Sequence, residues 1–335
     1  MLLLVISLGA AASVREEFAV WKAAHGRVYA TADEEAYRFS IFEENLEAAA
    51  AQQALEKAGG ARFGPNEFSD WTTAEFKQRL LGSVPVNALE ELPHQPKLKG
   101  INAVPGAIDW TGAATTPVKN QGHCGSCWAF SATEQIESDF ILQKNATLVL
   151  APQELVDCRG DGSERDGCHG GNPTAAYKVI EEIGGMELET DYPYDGKNDK
   201  CTFKQSKAKI TLGNSTTGKP YYVVGKRDEA EMKKYVGAKG PLSVCVNATS
   251  WHHYQGGVMT ACADRRTDHC VQLVGYGHDT DSGLDYWKLR NSWGAKWGET
   301  GFLRVEFGKD SCDVSSIPTR TIPGEIIKAP TIEAK

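Results

Sequence analysis

The chain reads as an α+β protein in three consecutive parts: a helical front segment, a helix-rich half and a strand-rich half. Three observations predict this. Residues 15–81 carry helix signals, beginning with Thr31-Ala-Asp-Glu34, which has the form of a capping box. Residues 83–106 hold Pro85, Pro93, Pro96 and Pro105, so they form an extended, irregular linker and a domain boundary. Beyond residue 210, runs such as "PLSVCVNA", "CVQLVGYG", "DYWKLRNSW" and "GFLRVEF" are short, aromatic and β-branched, with glycines between them.

Each part has its own logic. The helix opened by Thr31 is expected to run to Gly59-Gly60. Within it Glu34, Arg38, Phe42, Asn45, Ala49 and Gln53 fall within about 100° of one another around the axis. This stripe is mixed rather than apolar, which suits either docking through specific contacts or a solvated face. From Cys127 to Lys144 there is no Gly or Pro, and Trp128, Ala132, Ile136 and Phe140 recur every fourth residue, so a helix starts at Cys127. A cleft between the helix-rich and strand-rich halves is the natural place for a site.

Composition narrows the function. With 335 residues, 41% of them hydrophobic and 24% charged, the chain has material for about two globular domains. Its net charge of −8 lacks the basic surplus that nucleic acid or an anionic membrane attracts. Residues 2–12, "LLLVISLGAAA", are too short to span a bilayer and fit the apolar part of a secretory signal, residues 1–12, without its usual basic start. Nine cysteines suit an oxidising compartment, and the odd number leaves a thiol unpaired. The sequons at Asn145, Asn214 and Asn247 are glycosylation candidates that point the same way.

The segment "KNQGHCGSCWAF", residues 119–130, raises the chemical question. A zinc site would need a second closely spaced ligand pair, and none exists. A thioredoxin-like exchanger would leave the other cysteines unexplained. Nucleophilic catalysis fits best. A helix N-terminus and a nearby imidazolium lower a thiol pKa, and Cys127 stands at a predicted helix N-terminus. Downstream, "RTDHCVQLVGYG" offers His269 and "KLRNSWGAKWG" offers Asn291 to orient it. Two rivals are an inactive binding homologue, which would lack the nucleophile or the histidine, and a non-catalytic disulfide-rich secreted module, which would have an even cysteine count.

The combination resembles the papain/cathepsin family, whose signature is "CGSCW" with His and Asn far downstream. "VKNQGHCGSCWAFSA", "LVDC", "GCHGG", "DHCVQLVGYG" and "LRNSWGAKWGETGF" match its motifs in order. His269 and Asn291 lie 142 and 164 residues after Cys127, and the second interval suggests an insertion in "HDTDSGLD". Glu34, Arg38, Phe42 and Asn45 match the inhibitory propeptide's helical motif, from which Ala49 and Gln53 depart. "GPNEFSD" matches its second motif at Gly64, Asn66, Phe68 and Asp70.

The resemblance implies a papain-like two-lobed fold, with a helical left lobe, a β-barrel-like right lobe and a cleft between, preceded by a helical propeptide domain. It divides the chain into an inhibitory propeptide, 13–103, and a peptidase domain, 104–335. Residues 83–103 would run through the cleft and be cut near Val104-Pro105, and acid would loosen the segment by protonating its carboxylates. The implied enzyme is a cysteine endopeptidase made as a zymogen, a monomer with no cofactor or metal, acting on proteins or peptides in a lysosome, a vacuole or outside the cell. Cys127 attacks, His269 pairs with it, Asn291 orients His269, and Gln121 with the Cys127 N–H holds the oxyanion. Trp293 covers the Asn291–His269 contact, and Gly170-Gly171 let a substrate backbone approach. The implied selectivity pocket takes an apolar side chain two residues before the scissile bond. Its walls are Asn172, Pro173, Cys245, Thr267 and Cys270 around Asp268, and its floor is near Ile317. The implied disulfides are Cys124–Cys168, Cys158–Cys201 and Cys262–Cys312, with Cys127, Cys245 and Cys270 left free.

Overall fold

A computed structural model describes residues 13–84, 93–101, 103–159, 167–216, 218–262 and 266–327. The expected signal, residues 1–12, lies outside them, as does Pro85.

The front segment consists of α1 (Val14–Ala24), α2 (Ala32–Leu55), strand β1 (Arg62–Phe63) and α3 (Thr73–Leu80). Thr31 caps α2 by accepting the Glu34 N–H, but the Glu34 carboxylate takes the Ala30 N–H, so only half of the expected capping box forms. Full capping boxes close α1 at Ser13/Glu16 and α3 at Thr72/Glu75. The mixed stripe of α2 is a docking surface. Arg38 donates to the Asp70 carbonyl at 2.9 Å and to both Glu75 carboxylate oxygens, at 2.7 and 2.9 Å. Phe42 is fully buried against Phe18 and Trp21, and Asn45 donates to the carbonyls of Ser69 and Trp71, both at 2.8 Å. Ala49 is buried, and Gln53 bridges the Ala61 carbonyl and the Phe63 N–H. Asp70 accepts from the Tyr29 hydroxyl at 2.9 Å and pairs with Arg27.

The remainder forms two lobes around α4 (Cys127–Lys144). On one side lie α5 (Pro152–Cys158) and α6 (Pro173–Ile183). On the other an eight-stranded sheet runs in the order β4 (Tyr221–Val223), β11 (Thr319–Thr321), β5 (Leu242–Val246), β8 (His269–Asp279), β9 (Leu284–Arg290), β10 (Phe302–Glu306), β7 (Val258–Met259), with β2 (Ile108–Asp109) also paired to β8. The order does not close on itself among the described residues, so the barrel-like lobe is an open sheet and not a closed barrel. α7 (Glu229–Ala238) packs on β8. β3 (Ile210–Leu212) and β12 (Pro323–Ile326) form a small outer pair.

β1 adds the front segment to the body by pairing antiparallel with β6 (Tyr254–Gly256). Gly64 lets this strand lie close: a Cβ there would sit 2.9 Å from the Gln255 side chain. Asn66 donates to the His252 carbonyl at 2.7 Å, and Phe68 packs edge-on to Trp293.

Asn45→Ala would leave two buried carbonyls without their donor, at a cost of about 2–3 kcal/mol. Amide hydrogen exchange across residues 66–80 should then accelerate about tenfold or more. Unchanged protection there would show that Asn45 does not hold α3 to α2.

Candidate active site

Cys127 opens α4, and every residue from it to Phe140 is buried. The helix dipole favours a thiolate at this end, but burial outweighs it and pushes the Cys127 thiol up to about 12. His269 begins β8, and burial lowers it to about 4. Its Nε2 lies 2.8 Å from Asn291 Oδ1, while its Nδ1 is buried with no hydrogen-bond partner among the described residues. The backbone N–H of Cys270, the residue after His269 on β8, favours the Cys127 thiolate, against the larger effect of burial. Trp293 lies over the histidine, ring centres 4.9 Å apart, and Trp251 meets it edge-on at 5.8 Å.

Gln121 is fully buried and rigidly held. Its Oε1 accepts from the Ser292 hydroxyl at 2.7 Å, and its backbone N–H donates to the Ser292 carbonyl at 2.8 Å. Its Nε2 donates at 2.9 Å to the Cys124 carbonyl and at 2.9 Å to the carbonyl of Leu80, which belongs to the front segment. The sequence reading missed Ser292, although it follows Asn291 directly in "RNSWG".

The front segment fills the cleft. The Gly82 N–H donates to the Asp268 carbonyl at 2.8 Å, and Ser83 bridges Gly170 in parallel. Gly170 has φ +115°, and a Cβ on it would stand 2.4 Å from the Ser83 nitrogen, so only glycine fits. Gly171 does not share that role: its missing Cβ makes room for the Trp128 ring, a correction to the expected pair of substrate-facing glycines. Asn172 caps α6 by accepting the Ala175 N–H, and Pro173 is the helix's first residue. The Thr267 hydroxyl is buried without a partner among the described residues, and Thr267 lines a cavity of about 730 Å³ between the segment and the body. The Asp268 carboxylate accepts from the Ala248 N–H and the Thr249 hydroxyl, both at 2.8 Å. Ile317 is buried in the same apolar cluster as Cys245 and Cys270.

Cys124 pairs with Cys168, Cys158 with Cys201 and Cys262 with Cys312. The expectation that Cys245 and Cys270 are free is corrected: they form a fourth disulfide, because antiparallel pairing of β5 with β8 sets them directly opposite one another. Sequence spacing carried no signal for that register. Cys127 is the one free cysteine among the described residues. Of the sequons, Asn145 and Asn214 are exposed. Asn247 is buried and its amide donates to the Arg266 carbonyl at 2.6 Å, so it is withdrawn as a glycosylation candidate.

The arrangement of a thiol, an oriented imidazole and an amide donor beneath an occupied cleft has parallels in known proteins. The family model described as "Papain family cysteine protease" matches residues 104–322. The model described as "Cathepsin propeptide inhibitor domain (I29)" matches residues 18–76. "Cysteine proteinase 1" of Zea mays is 37% identical over 313 residues, which cover 87% of this chain and 82% of the relative. "Cathepsin L" of Sarcophaga peregrina is 36% identical, covering 91% and 93%. A solved structure of digestive procathepsin L2 proteinase from Tenebrio molitor superposes with a TM-score of 0.82 at 29% identity, covering 93% of this chain and all of that one. With so much of its length matched, front segment and body alike, the chain belongs to the papain family of cysteine proteases, as a zymogen with its inhibitor domain in place.

Proposed function

We propose that the mature chain is an endopeptidase in which Cys127, His269, Asn291 and Gln121 carry the reaction. One observation supports this above all: the Leu80 carbonyl accepts a hydrogen bond from Gln121 Nε2, just where a scissile carbonyl would need its donor. In the reaction, Cys127 Sγ adds to the substrate carbonyl carbon. The developing oxyanion is held by Gln121 Nε2 and the Cys127 N–H, and His269 passes a proton to the leaving amine. Water then releases the acyl group from sulfur, with His269 as the base. Asn291 fixes the ring by its 2.8 Å contact with Nε2, leaving Nδ1 for the thiol. Trp293 shields that contact from water.

The zymogen is silent for two reasons. Its cleft is filled, and burial under the segment disfavours both charges of a thiolate–imidazolium pair, since it raises Cys127 and lowers His269. Departure of the segment readmits water and removes that penalty. The apolar surroundings of Cys245, Cys270 and Ile317 support a preference for Leu, Val or Phe over Arg two residues before the scissile bond. Four disulfides suit an oxidising route. Among the described residues no helix is long and apolar enough to cross a membrane. A secreted or lysosomal monomer glycosylated at Asn145 and Asn214 is the form we propose.

Cys127→Ala should fold and stay a proform with no peptidase activity. Full processing of the purified variant without added protease would remove Cys127 from the mechanism. In a library varied two residues before the cut, the processed enzyme should favour Leu, Val or Phe over Arg by about tenfold or more. An Arg preference would require an acidic wall.

Acid should release the segment chiefly through histidines. His252 stacks on Phe76 of α3 at 4.3 Å, its Nε2 meets the Phe68 carbonyl at 3.1 Å, and His253 stacks on His252 at 4.0 Å. Burial lowers them from 6.5 to about 4 and about 3. Charging is therefore easier once the segment has left, and docking weakens as pH falls from about 6.5 toward 4. Carboxylates were expected to act here, but the hydrogen bonds of Glu75 with Arg38 hold its carboxyl down at about 2, so its contribution is lost only in stronger acid. Tryptophan fluorescence of the Cys127→Ala proform should report release across that window. The further changes His252→Gln and His253→Gln should flatten the curve, and an unaltered curve would exclude the pair as its cause.

A further inference from the structure

We infer that the Cys245–Cys270 disulfide sets the size of the side chain the enzyme accepts two residues before the cut, admitting Val and Leu and turning away Phe and Trp. This rests on the peptidase reading above and narrows it.

The argument begins with strand alternation. On β5 and β8, Leu242, Val244, Val246, Val271 and Leu273 join the sheet's own apolar cluster. Cys245 and Cys270 point to the opposite face. There they join a second cluster, which contains Trp128 and Ala129 from the start of α4 as well as Ile317. The two cysteines are directly opposed, Cα atoms 4.0 Å apart, and the next pair in the register is Val246 with His269. The covalent link therefore lies one residue from the base along β8, on the face of the sheet that shares its apolar cluster with the start of α4 and with Val84 of the front segment.

An occupant is already seated. Gly82 and Ser83 of the front segment are tied by their backbone to Asp268 and His169, and Val84, which follows, is 7% exposed and belongs to the cluster of Cys245, Cys270 and Ile317. An extended chain in the cleft thus delivers a β-branched aliphatic side chain into the apolar cluster that contains the disulfide. Two free thiols could turn about their Cα–Cβ bonds and let a larger group in. A disulfide removes that freedom, because both sulfurs must stay bonded between strands fixed by their own ladder. The wall is apolar, fully buried and unable to yield. An aromatic side chain would have to displace the backbone, whereas a Val-sized one meets the wall without strain.

The test uses the processed enzyme and peptides that differ only at this position. The wild type should cleave the Val or Leu peptide with kcat/KM about tenfold or more above that for Phe. Cys245→Ala with Cys270→Ala deletes both sulfurs, and the Phe to Val ratio should rise by about tenfold or more. Cys245→Ser with Cys270→Ser removes the bond but keeps two small side chains that can turn, and its Phe to Val ratio should rise by about threefold or more. Rates are normalised to the fraction of Cys127 that an epoxide inhibitor labels, so a folding loss does not imitate a specificity change. If neither variant folds, the wild-type series decides alone. A wild type that favours Phe or Trp over Val, or an Ala/Ala enzyme with an unmoved ratio, would overturn the assignment while leaving the peptidase reading intact. Absence of both cleavage and labelling would instead strike at that reading.

Discussion

The structure depends on burying a polar helix between two lobes. From Cys127 to Phe140, α4 has no solvent face, yet it carries Glu134, Gln135, Glu137, Ser138 and Asp139. Each polar group must therefore find a partner across the lobe interface. Glu137 takes the Thr116 hydroxyl, Lys119 and the Leu150 N–H. Asp139 takes the N–H and hydroxyl of Thr321, and Glu134 faces Arg290. These bonds fix where α4 begins, and hence where Cys127 stands relative to β8. Burial lifts Glu134 to about 7 and Asp139 to about 6, so these carboxyls take up protons at a higher pH than those of a surface helix would.

Much of this was legible in the chain. The four-residue recurrence of Trp128, Ala132, Ile136 and Phe140 marked a helix, and all four are fully buried. The mixed stripe on α2 marked a face whose polar members have specific partners: Arg38 and Asn45 reach backbone groups 32 and 24 residues on, and Gln53 reaches one 8 residues on. What escaped depends on register and depth. Cys245 and Cys270 look like any two core cysteines until strand pairing opposes them. Asn247 has a valid triplet, but only the fold shows its amide turned inward to Arg266. Gly171 reads like Gly170, and what distinguishes them is the Trp128 ring on one and a passing backbone on the other. Ser292 was overlooked because a serine beside a candidate residue carries no pattern of its own.

The inhibitor domain works by imitation at the backbone and by exclusion at the side chains. It adds a strand at β6 and presents a carbonyl to Gln121. It also places the Phe76 ring over His252. Four histidines lie along this seam with lowered proton affinity: His252 and His253 deep within it, His25 and His123 at its edge beside Arg27 and Arg79. For the edge pair burial is the larger cause and the guanidinium groups add to it.

If the precursor is cut near Val104-Pro105, as the family resemblance implies, the mooring of that bond bears on how it opens. Tyr276 of β8 donates its hydroxyl to the Pro105 carbonyl at 2.9 Å, and β2, just beyond, pairs with the same end of that strand. Tyr276 lies seven residues along β8 from His269, a span of roughly 23 Å. A peptide bond moored at the far end of the strand cannot reach the thiol of its own molecule while the fold is intact. If the enzyme makes this cut itself, one folded molecule must serve another. The reaction would be second order in protein, slow in a dilute preparation and self-accelerating once the first molecules are free.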